Sequence, residues 1–165
     1  MRRGSLLLAL ALLGGVCIGC EELADETTAD FSFVSTKQVL RLSGGTPAVE
    51  ITIENTGDRA GYNVSCDVNA LKGNTIIDGA SAYFADLNDI PPGQRAVDDA
   101  IFWGMGSHKD YDRLDYRMTW IERDTYKSGE VTQTHTVDAA GNLIEKLAGV
   151  PVTVIVDPGP PPEWE

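Results

Sequence analysis

The sequence predicts an all-β antiparallel sandwich. Three observations carry that reading. Apolar residues recur with a period of two in several segments, turn residues punctuate those segments, and no stretch holds a 3.6-residue period over three turns. Alternation of this kind puts one strand face on a core and the other in water.

In chain order, residues 1–36 stand apart from the fold. Met1-Arg2-Arg3 is basic, and Leu6–Val16 is an apolar run of 11 residues that ends at Cys17-Ile18-Gly19-Cys20. A bilayer span needs about 20 apolar residues, so the run reads as a cleaved secretory leader. Ile18-Gly19-Cys20 resembles the lipobox of bacterial lipoproteins, with Cys17 where leucine is usual. That resemblance implies cleavage after Gly19 and lipid on the Cys20 sulfur. Two or more acyl chains make such an anchor stable, at about 0.8 kcal/mol per buried CH₂. Residues 20–36 then read as a tether, because Glu21–Asp30 is acidic and poor in large apolar groups. In enteric bacteria an Asp after the lipid Cys retains a lipoprotein in the inner membrane. Glu21 stands there instead, which points to the outer membrane, on its periplasmic or surface face.

The sandwich is expected over Lys37–Val156. Val49, Ile51 and Ile53 share one face. Tyr62, Val64, Cys66, Val68 and Ala70 share another, as do Leu114, Tyr116, Met118 and Trp120. Asn55-Thr56-Gly57-Asp58, Lys72-Gly73-Asn74 and Pro91-Pro92-Gly93-Gln94 are turns. Asp138–Asn142 reads as a hairpin tip between Val131–Val137 and Leu143–Lys146. Val150, Val152, Val154 and Val156 form one more alternating strand, and the Pro-rich residues 157–165 favour an extended polyproline tail.

An alternating strand ending in Asn-x-Gly, a second long strand, a Gly turn, Leu87–Gln94 and the aromatic strand Tyr116–Trp120 resemble bacterial immunoglobulin-like modules of the FxLYD and CARDB types. The resemblance covers Lys37–Glu122, and the aromatic-x-Leu-Tyr-Asp string of the first type is absent. It implies an immunoglobulin-like antiparallel β-sandwich, here with an extra C-terminal hairpin and strand. Such modules serve mostly in adhesion, scaffolding or accessory roles, and the fold alone assigns no chemistry.

Composition narrows the partners. With Arg2 and Arg3 removed in the leader, 11 basic residues face 25 acidic ones, a net charge of −14. That balance disfavours nucleic acid and direct docking on anionic lipid. Of three cysteines, Cys17 leaves with the leader and Cys20 carries lipid, so Cys66 is left without a partner. Its alternation with Val64 and Val68 makes it a small buried hydrophobe rather than a nucleophile.

The chain offers little for catalysis. His108 and His135 lie at no metal-ligand spacing. Asp98 and Asp99 are adjacent, so on a strand they face opposite sides. Asp110, Asp112 and Asp115 lack the glycine and terminal glutamate of a helix-loop-helix calcium site, and only a loose calcium site is conceivable there. No nucleophile elbow or phosphate loop occurs. No cofactor, metal or catalytic residue is therefore expected. The loop Trp103–Arg113 has binding character through Trp103, His108 and Tyr111. The expected protein is a monomeric, lipid-anchored, non-catalytic interaction or accessory module of the cell envelope, held to the membrane through Cys20 and working with an envelope protein. The alternative is a glycan- or small-ligand-binding lipoprotein that uses the 103–113 loop.

Overall fold

The computed structural model describes residues 28–42, 45–85 and 89–146. The leader with Gly19 and Cys20, the start of the tether, the Val150–Val156 strand and the Pro-rich tail lie outside the described residues.

Alternation becomes strand in the three central segments. β2 (Thr46–Asn55) buries Val49, Ile51 and Ile53 completely. β6 (Arg113–Glu122) buries Leu114, Tyr116, Met118 and Trp120 on one face. β3 (Gly61–Lys72) buries Val64, Cys66, Val68 and Ala70. Full burial of each large side chain stabilises the fold by about 1.5–3 kcal/mol. Cys66 is a free thiol with no exposure, and burial pushes its pKa up, with the Asp67 charge adding to the shift.

Tyr62 leaves the face on which alternation placed it. The β3–β6 register slips between Tyr62 and Ser65, and Asn63 sits at φ 52°. Asn is among the residues that tolerate this left-handed conformation, and the bulge turns Tyr62 outward. There the Arg123 guanidinium lies 4.4 Å from its ring centroid.

The remaining strands are β1 (Phe31–Arg41), β4 (Thr75–Ala85), β5 (Arg95–Ile101), β7 (Ser128–Val137) and β8 (Leu143–Lys146). The β7–β8 hairpin forms where it was expected, closed by Asp138, whose Oδ1 accepts from Ala140 N and Asn142 N at 2.8 Å each. These bonds, Asn142 first, hold the Asp138 carboxyl below its usual pKa. Two antiparallel sheets result, ordered β1-β2-β5 and β4-β3-β6-β7-β8. This is an immunoglobulin-like sandwich in which the fourth strand pairs with β3 and an eighth strand extends the larger sheet.

The domain begins earlier than patterning placed it. Phe31–Thr36, assigned to the tether, form the first half of β1. A register shift between Phe33 and Ser35 breaks the period of two and hides the strand in the sequence. Thr28–Asp30 also belong to the fold. Trp120 Nε1 donates to Ala29 O at 3.1 Å, and Ala29 N donates to Glu122 Oε2 at 3.2 Å. Asp30 O accepts from Thr56 N at 2.8 Å, and Thr28 O from Asp58 N at 2.9 Å. Gly57 is required under this crossing, since a Cβ there would lie 2.1 Å from Thr28 O.

The strands run between two poles. The N-terminal pole holds Thr28, the Asn55–Ala60 turn and the turn after β6. The distal pole holds the β1–β2, β3–β4 and β7–β8 turns and the loop after β5. The 11 residues of β1 separate the poles by about 35 Å.

Candidate functional site

The loop Trp103–Arg113 lies at the distal pole, and its three marked residues part company. Phe102, just before it, is fully buried, and its N–H donates to Pro47 O at 2.9 Å. The period of two then carries Trp103 outward, where it is 72% exposed. Tyr111 turns inward and is 1% exposed, packed at 6.1 Å between ring centroids from Phe102. Tyr111 is a core residue, so its ring is closed to a ligand.

His108 is held from both sides. Its Nε2 lies 2.9 Å from Val39 O, which can only accept, so Nε2 carries the proton. Nδ1 then accepts from Tyr111 Oη at 2.7 Å. Tyr111 Oη in turn accepts from Gln38 Nε2 at 2.9 Å, and Gln38 Oε1 accepts from Leu143 N at 3.1 Å. This chain of bonds ties the loop to β1 and β8, the edges of the two sheets. Burial raises the Tyr111 pKa to about 12, against the opposing hydrogen bond from Gln38.

The three aspartates in or beside the loop do separate work. Asp110 Oδ2 accepts from Gly106 N and Ser107 N at 3.1 and 2.9 Å. The Asp112 carboxylate accepts from Gly73 N in the β3–β4 turn at 3.0 and 3.1 Å. Asp115 Oδ1 accepts from Thr134 Oγ1 at 2.9 Å and pairs with Arg113 at 3.2 Å. Among the described residues no group of three His, Cys, Asp or Glu side chains is placed to hold a metal ion. His135, 8% exposed, packs at 5.1 Å from the Tyr116 ring and bonds Thr36 Oγ1 through Nδ1 at 3.1 Å.

What sequence reading missed is the seam beside Trp103. β4 and β5 are edge strands of different sheets and run side by side. Asp98 Oδ2 accepts from Tyr83 N at 2.7 Å, and Asp78 Oδ2 accepts from Gly104 N at 2.8 Å. Asp78 therefore holds the backbone beside Trp103. A Cβ on Gly104 would lie 3.1 Å from that carboxylate, so the approach depends on glycine. Between the two links lies an open groove of about 370 Å³, floored by Gly79, Ala80 and Ser81 and flanked by Tyr83 and Trp103. Tyr83 is 62% exposed. The Asp99 carboxylate at its side is held by Arg41 at 2.6 and 2.9 Å, and Arg41 also pairs with Glu50 at 2.9 Å. Asp99 first, then Glu50, raise the Arg41 pKa. The available signal was the Tyr83 and Trp103 pair, which the sequence carries on two separate segments.

No family model matches the chain, and no curated protein matches it. One solved structure that does match is DesR, a β-glucosidase from Streptomyces venezuelae in complex with D-glucose, at 16% identity and a TM-score of 0.32. The match covers 78% of this chain and spans 15% of that one, and at this likeness it carries no argument.

Proposed function

We propose that this protein is a lipid-anchored lipoprotein of the cell envelope whose sandwich serves as a non-catalytic interaction module. One observation carries the reading, the polarity of the domain. Its N-terminal segment, which follows Cys20, enters at one pole, and Trp103, the most exposed aromatic side chain among the described residues, stands near the other, about 35 Å away. An anchor upstream of Thr28 would hold the distal pole off the membrane and toward a partner. The leader ending in Ile18-Gly19-Cys20 supports the anchor. The engagement of His108 and of the loop aspartates in backbone hydrogen bonds supports a scaffold rather than a catalyst. The ligand-loop alternative loses Tyr111 to the core, while Trp103 is exposed and the half-buried His108 is held by Val39 O and Tyr111 Oη.

The test has two readouts. A fatty-acid analogue should label the wild type and not Cys20→Ser, and the wild type alone should sediment with membranes. Cross-linking in intact cells should capture one envelope protein, and Trp103→Ala should lower that yield. Equal labelling of both forms removes the anchor. A cross-link pattern without an envelope protein removes the module.

A further inference from the structure

We infer that the β4–β5 seam is a docking groove for a basic, extended segment of a protein partner; this rests on the interaction-module reading and names the partner's chemistry. Two large exposed rings flank it, Tyr83 on β4 and Trp103 just beyond β5, while the exposed Ile76, Ile77 and Val97 of the same two strands lie outside its lining. Two such rings on one groove mark an interaction surface where scattered singles would not.

The groove's charge selects the occupant. Asp78 and Asp98 stand at its two ends, where each already accepts backbone N–H groups, and among the described residues no cation of this chain pairs with either. Asp99 is already neutralised by Arg41. Two carboxylates without a counter-ion near two exposed rings suit a guanidinium or ammonium group, which stacks on an aromatic face while it pairs with an acid. A neutral sugar would use the rings and leave the carboxylates unmatched.

The groove's length selects an extended chain. The Asp98–Tyr83 and Asp78–Gly104 links lie five residues apart on β4, which is about 16 Å. Four to five residues of extended peptide span that distance. Side chains at i, i+2 and i+4 all point to one face, so alternate basic residues would meet the rings and carboxylates in turn. The floor of Gly79, Ala80 and Ser81 leaves room for a backbone.

The test uses the full-length protein in neutral detergent, labelled with 5-fluorotryptophan and followed by ¹⁹F NMR. Its three tryptophans then give three signals, with Trp103 assigned through Trp103→Phe and the buried Trp120 told from Trp164 through Trp164→Phe. Three probes are titrated: an eight-residue capped peptide alternating Arg and Thr, the same peptide with Asp for Arg, and cellobiose. The Arg peptide should shift the Trp103 signal saturably and leave Trp120 in place. Raising NaCl should weaken it, and Tyr83→Ala or the double change Asp78→Asn, Asp98→Asn should weaken it about fivefold. The Trp120 signal shows whether each variant is folded. The inference is overturned if Trp103 ignores the Arg peptide, if both peptides shift it equally, or if cellobiose shifts it and the Arg peptide does not. Any of those outcomes with Cys20-dependent anchoring and envelope capture intact removes the groove and leaves the module. Loss of the anchoring result removes the module and leaves the groove.

Discussion

Asn55 should contribute strongly to stability for a polar side chain. It has no exposed surface. Its Nδ2 donates to Arg59 O at 2.7 Å and to Ile90 O at 2.8 Å, and its Oδ1 accepts from Gly57 N at 3.0 Å. It thus joins the end of β2 to its own turn and to the segment before β5. Asn55→Ala removes three hydrogen bonds at once, although Ile90 O keeps Gly61 N and Gly57 N keeps Asp30 O. Each such bond contributes about 0.5–1.5 kcal/mol net. The bonds to Arg59 and Gly57 lie partly in reach of water and belong at the low end. The total is about 2.5 kcal/mol, a sizeable share of a stability of about 5–15 kcal/mol. The melting midpoint should fall by about 10 °C. Asn55→Asp adds a test of sign. Its carboxylate would be buried facing two carbonyl oxygens, which raises its folded pKa above the unfolded value of about 3.9. The folded form then binds more protons than the unfolded form between those values. The Asp variant therefore gains stability relative to the Ala variant as pH falls through that window, and loses it as pH rises. Circular dichroism melts of the three forms from neutral pH down to about pH 4 would decide it. A midpoint for Asn55→Ala within 3 °C (about 1 kcal/mol) of wild type, or a pH-independent gap between the two variants, would refute the reasoning.

Two further outcomes follow from the fold. A chain beginning at Asp25 should melt like the full protein, whereas one beginning at Lys37 should show no cooperative transition; it loses Ala29 and Phe31, both buried, and half of β1, and loss of one such Phe alone costs about 3–5 kcal/mol. Tyr111 and Tyr116 should ionise only on unfolding, since burial raises the pKa of both, that of Tyr111 to about 12. The unfolded chain ionises them near pH 10, so stability present below that pH is lost as pH climbs toward 12. Tyrosinate absorbance followed beside far-ultraviolet dichroism checks this, and ionisation of all five tyrosines in the folded protein contradicts it.

Strands were legible where one face meets the core without interruption. Val49 to Ile53 and Leu114 to Trp120 alternate cleanly because β2 and β6 are flanked by strands on both sides. β1 was half hidden by its bulge at Phe33–Ser35, and Tyr62 was misplaced by the bulge at Asn63. A single inserted residue inverts the parity of everything beyond it. β4 gave a poor signal because its exposed half, with Ile76 and Ile77 both in water, has no inner face to record. Asn55-Thr56-Gly57 was legible as a turn, but its reason was not: Asn55 binds a carbonyl 35 residues away, and Gly57 makes room for Thr28. Tyr111 was read as a ligand residue because Gly, Ser and Asp neighbours resemble an open loop. The loop in fact folds over the end of the core.

The direction of the strands also has a mechanical meaning. A pull between an attachment upstream of Thr28 and a partner near Trp103 runs along the strand axes. The ten β1–β2 pairs would then be strained together, in shear, rather than opened one after another. Thr28–Asp30 lie outside that ladder and are held by separate hydrogen bonds to the Thr56–Arg59 turn, Trp120 and Glu122. Under tension they would let go first, paying out about 10 Å of chain before the ladder bears the load. The domain would behave as a stiff strut with a short length of slack at its base.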